Sequence, residues 1–96
     1  MESEFELLMS FRTPDGFKAF GQYFLGKDRF IAEAIFAGLK GREDLDDSAV
    51  LHLDLLEIRE GLPAKVQMIS CRLNELCENT QHITRELFRL NAIEPR

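Results

Sequence analysis

A chain of 96 residues with 45% hydrophobic and 30% charged side chains has the composition of one globular domain, too polar for a membrane chain and too apolar for a disordered one. Its net charge of −5, with basic residues scattered singly from Arg12 to Arg96, leaves no positive stripe to displace counterions from a phosphate backbone, which argues against nucleic acid. No apolar run approaches the roughly 20 residues of a bilayer span, the acidic start MESEFELL is unlike a signal peptide, and two cysteines make no disulfide framework, so the chain reads as cytoplasmic and reduced.

Glu4–Phe11 alternates cleanly, with Phe5, Leu7, Met9 and Phe11 on one face and Glu4, Glu6, Leu8 and Ser10 on the other, and predicts a strand. Thr13-Pro14-Asp15 then reads as a helix start: a capping hydroxyl, a proline suited to the first helical position and an acid that complements the dipole. Phe17, Phe20 and Phe24 follow at helical spacing, although Gly21 and Gly26 weaken a helix there. Asp28 is a second cap, opening a helix through Leu39 with an apolar stripe of Ile31, Ala34, Ile35 and Leu39, and Gly41 reads as its stop. The polar loop Gly41–Ser48 leads into Ala49–Ile58.

Ala49–Ile58 is the most informative stretch, because both faces of the strand carry apolar residues. Ala49, Leu51, Leu53 and Leu55 form one continuous row. The opposite row, Val50, His52, Asp54, Leu56 and Ile58, is apolar at its ends and polar in the middle. A strand with one wet face alternates cleanly, so this second row is expected to meet something besides water.

The remainder allows two readings. Val66, Ile69, Leu73, Leu76, Thr80, Ile83, Leu87 and Leu90 keep a three-four spacing that would make Pro63–Asn91 one long helix. Charge placement favours a split: a hairpin turn at Arg59–Pro63, a strand at Ala64–Ser70, and a helix at Arg72–Asn91. Glu75 and Glu78 then lie near the start of that helix, and Arg85 and Arg89 near its end. Ala92–Arg96 reads as a frayed tail.

These elements predict an α+β domain spanning residues 1–96, with a three-stranded antiparallel sheet in the order β-αα-β-β-α and helices on one face. That order resembles the split β-α-β unit of a ferredoxin-like fold without its last strand, a likeness of topology that implies no activity.

The motifs weigh less than they first promise. Gly21–Asp28 matches G-x-x-x-x-G-K, but Asp28 replaces the magnesium-binding hydroxyl and the loop interior is bulky and aromatic. Asp44, Asp46 and Ser48 fall on calcium-loop positions, yet Ala49 stands where the turn glycine belongs and Leu55 where the bidentate glutamate belongs. Cys71, Cys77, His52 and His82 lack zinc-site spacing, and Cys77 reads as a small core residue. No cofactor or metal is expected. His52 and Asp54 share a strand face, where a carboxylate can orient an imidazole, and Arg12 joins the same outward row if the first strand's alternation persists. With no nucleophile in view, these three are weak catalytic candidates.

The leading expectation is therefore a non-enzymatic protein-interaction module, a homodimer formed through the outer sheet face, with Leu8, Val50, Leu56 and Ile58 at the interface. The alternative is a small-molecule-binding regulatory domain or small enzyme, with its pocket between sheet and helices or between protomers.

Overall fold

The computed structural model describes residues 2–43 and 49–91. Strand β1 (Ser3–Thr13) turns back into β2 (Gly16–Gly26), helix α1 (Arg29–Ala37) follows, then the hairpin of β3 (Leu51–Arg59) and β4 (Leu62–Cys71), and finally helix α2 (Leu73–Asn91). The four strands form one antiparallel sheet in the order β2-β1-β3-β4. The fold is α+β with an antiparallel sheet, as expected, but it has four strands and two helices where three strands and three helices were expected. The calcium-loop positions Asp44, Asp46 and Ser48 and the tail Ala92–Arg96 lie outside the described residues.

The extra strand is β2, which replaces the first expected helix. Thr13-Pro14-Asp15 is a hairpin turn: the Thr13 hydroxyl accepts from the Asp15 N–H at 3.2 Å and donates to the Gly16 carbonyl at 2.6 Å. The same hydroxyl chemistry serves caps and turns alike. Two bulges then break the alternation of β2, one holding Phe20 between the pairs Met9–Gly21 and Ser10–Ala19, the other holding Leu25 between Glu6–Phe24 and Phe5–Gly26. Each bulge adds one residue to the period of two, so β2 shows the three- and four-residue spacings of a helix.

The ferredoxin-like order also fails. β1 lies directly beside β3 and runs antiparallel to it, so the molecule is two hairpins side by side with no parallel crossover. The split reading of the C-terminal half holds: Glu60 (φ 56°) and Gly61 (φ 78°) form the two-residue turn between β3 and β4.

Phe5, Leu7 and Met9 of β1 and Leu51, Leu53 and Leu55 of β3 make the buried inner row of the two central strands. Ala32, Ile35 and Phe36 of α1 and Ile83 of α2 complete that core, with Ile31, Leu76 and Leu87 packed against it, so both helices cover the same face. The Asp28 carboxylate caps α1 by accepting from the Phe30 and Ile31 amides. Asn79, in mid-α2, accepts from the Lys40 N–H and donates to the Lys40 carbonyl, pinning the chain as it leaves α1. Gly41 is no helix stop, since α1 ends at Ala37 with Gly38 as its cap. Its missing side chain lets residue 42 pair with β4, because a Cβ there would clash with the Ser70 carbonyl oxygen. In its shortest dimension the molecule measures 20 Å, the depth of one sheet and one helix layer. Among the described residues, nothing covers the outer face of the sheet.

Candidate functional site

That outer face collects the residues singled out by sequence. β1 presents Glu4, Glu6, Leu8, Ser10 and Arg12, and β3 presents His52, Asp54, Leu56 and Ile58 beside them in the pairs Glu4–Ile58, Glu6–Leu56, Leu8–Asp54 and Ser10–His52. Val50 lies just before β3 and extends the ladder, its carbonyl accepting from the Arg12 N–H at 2.8 Å. β4 adds Lys65, opposite Leu56, and Met68, opposite Asp54. β2 adds Phe17, opposite Arg12, and Phe24, opposite Glu6. Phe24 is 53% exposed, Val50 46% and Phe17 40%, while Leu8, Leu56, Ile58 and Met68 are half-buried by their neighbours alone.

The structure does bring His52, Asp54 and Arg12 onto one face. Their closest described contacts, however, are not those of an acid–base pair. His52 stacks on Phe17 with ring centroids 3.9 Å apart and planes 15° from parallel. The Arg12 guanidinium carbon lies 5.3 Å from the centre of the Phe17 ring, and its Nε–H donates to the Ala49 carbonyl. Phe17 thus gathers a cation and an imidazole around one ring, a favourable use of its quadrupole. Sequence reasoning missed this residue because the stretch was read as helix.

Asp54 is only 8% exposed, and its Oδ1 has no hydrogen-bond partner among the described residues. Lys65 Nζ stands 3.8 Å from the other carboxylate oxygen, at the limit of an ion pair. Burial pushes the Asp54 carboxyl above its ordinary value, against the smaller opposing pull of Lys65 and His52. Burial likewise lowers His52, with Asp54 resisting and Lys65 and Arg12 assisting. Both groups are therefore driven toward their neutral forms, which suits a surface awaiting a cover.

Ser10 and Ser70 flank His52 on the neighbouring strands, and both are buried. The amides beside them belong to the strand ladder, so among the described residues no pair of free N–H groups faces the row to hold an oxyanion. Surface depressions lie elsewhere. One of about 350 Å³ is bordered by Arg42, Val50, Cys71, Arg72 and Glu75, and one of about 400 Å³ by Lys27, Arg29, Glu57 and Arg59. His52, Asp54 and Arg12 line neither of them.

The G-x-x-x-x-G-K match cannot cradle a phosphate here. Gly21–Gly26 is paired strand, and Asp28 itself occupies the N-terminus of α1. Cys77 is exposed and Cys71 buried, the reverse of the assignment of Cys77 to the core. Among the described residues no three His, Cys, Asp or Glu side chains converge as metal ligands, and no helix is long and apolar enough to cross a membrane. Comparison with protein-family models, curated proteins and solved structures returned no match.

Proposed function

We propose that the protein is an interaction module that self-associates through the outer face of its sheet, with Leu8, Val50, Leu56 and Ile58 in the contact. The observation that carries this reading is the half-buried apolar surface around a carboxylate that is incompletely paired, on a face that no helix covers, among the described residues. Apolar patches of this kind mark contact surfaces, and a twofold pair covers both copies with one self-complementary patch. Four strands about 4.8 Å apart and some nine residues long give a footprint of roughly 600 Å² before side-chain relief is counted, close to the roughly 800 Å² of accessible surface each partner buries in a standard interface.

The alternative, a small-molecule site between sheet and helices, has less support, since core side chains fill that space. Leu56 and Ile58 provide the test. Leu56→Asp or Ile58→Asp places an unpaired carboxylate in the contact and is expected to give a folded monomer by light scattering, with an unchanged far-ultraviolet dichroism spectrum. Undiminished dimers from both variants would contradict the proposal.

A further inference from the structure

The outer face is electrically polarised along the strands. On β1 the outward row runs Glu4, Glu6, Leu8, Ser10, Arg12, acidic at one end and basic at the other. Among the described residues neither end is neutralised. Among the described residues Glu4 has no ion-pair partner, and Glu6 accepts only from the neutral Gln22 amide. Arg12, among the described residues, meets a ring and a carbonyl but no carboxylate. His52 and Phe17 flank Arg12 at the basic end, while the acidic end carries Leu56, Ile58 and Phe24. Lys65, the other cation on this face, is engaged by Asp54.

Two sheets that meet face to face by a twofold operation have their axis in the plane between them. An axis along the strands would set Glu4 against Glu4 and Arg12 against Arg12 of the second copy. An axis across the strands reverses the direction of one sheet and sets acid against base. Like charges brought together in a contact are costly, and complementary ones fix its register, so the two arrangements are not equivalent.

We infer that a second copy of the chain docks on this face about an axis running across the strands at the level of Leu8 and Asp54, so that Glu4 of each protomer pairs with Arg12 of its partner. The inference rests on the self-association proposed above and specifies its geometry. The register is symmetric about that level: Glu4 and Arg12 each lie four residues from Leu8, about 13 Å along the strand. On β3, Val50 and Ile58 lie four residues either side of Asp54, so one apolar end covers the other. At the roughly 30° crossing of packed sheets, positions 13 Å from the axis are offset by about 7 Å, within the combined reach of a glutamate and an arginine. The two Asp54 carboxyls come together near the axis, each with its own Lys65 at 3.8 Å and each pushed by burial toward its neutral form.

Cysteine cross-linking distinguishes the axes. In a Cys77→Ser background, Glu4→Cys and Arg12→Cys chains are treated separately and as a mixture with a bis-maleimide long enough to span sheets about 10 Å apart together with that offset, with folding checked by circular dichroism. The expected result is a covalent dimer in the mixture alone. Charge reversal gives the matching readout: Arg12→Glu and Glu4→Lys each weaken dimerisation roughly tenfold, and the double variant restores it. Cross-linking of each single variant with itself, or no restoration in the double variant, would overturn this axis while leaving outer-face association in place. A wild-type chain that stays monomeric at every concentration would overturn both.

Discussion

Asp54 and Asn79 are both polar and more than nine-tenths buried, yet their surroundings treat them differently. Asn79 is only 1% exposed and satisfies donor and acceptor together on Lys40, so it fixes the exit of α1. Asp54 keeps one oxygen unpartnered. Burial raises its folded-state value above 3.8, so the folded chain holds the proton more tightly than the unfolded chain. Stability from this site is greatest below pH 3.8 and declines as pH rises to the raised value. His52, lowered below 6.5, runs the other way: its contribution is fullest above pH 6.5 and declines as pH falls toward its folded value. Asp54→Asn is therefore expected to stabilise the chain increasingly as pH climbs from 3.8, then to level off, as read from urea midpoints across pH. A stability difference independent of pH would contradict this. Gly38 offers a second test at this scale. A Cβ there would stand 2.5 Å from His82 Nε2, which lies 3.0 Å from the Ile35 carbonyl oxygen at the end of α1. Gly38→Ala is expected to cost about 1–2 kcal/mol by displacing that ring, and much less in a His82→Ala background.

The hairpin turns govern the behaviour of the elements. Glu60 holds a left-handed conformation beside Gly61, a pattern in which asparagine is better tolerated than glutamate. Glu60→Asn is expected to stabilise the fold by roughly 0.5 kcal/mol, measurable as a raised melting temperature, and a loss of stability would contradict the turn assignment. β1, β3 and the C-terminal hairpin were legible in the sequence because long-range pairing there agrees with local pattern. The inward rows of the two central strands alternate without interruption, and Arg59-Glu60-Gly61 carries turn chemistry. β2 was not legible. Its two bulges erase the period of two, and Thr13-Pro14-Asp15 serves a cap or a turn equally well. Only the pairing with β1 decides between them, and that is a tertiary fact. The same error hid the site's organising ring, since Phe17 reaches His52 and Arg12 only from a strand. The outward row itself was readable, because Val50, Leu56 and Ile58 break the alternation that a wet face would keep.

At the scale of the whole molecule, one sheet and one helix layer leave the outer half of the sheet's surface without a cover among the described residues. The inner face is complete, with its central positions filled by leucines and phenylalanines that are nearly inaccessible. The outer face has the ingredients of a contact without its second half: apolar ends on β3, charge of opposite sign at the two ends of β1, and a carboxylate short of partners. A second copy docked on this face would cover the apolar ends and set acid against base, while each Asp54 keeps its own Lys65. The most direct measurement is solution mass by light scattering on a sizing column, across a concentration series of the wild-type chain with Leu56→Asp alongside. Twice the 11.1 kDa of the chain is expected for the wild type and the single-chain mass for the variant. A wild-type mass of one chain at every concentration, or a variant that dimerises as well as the wild type, would contradict it.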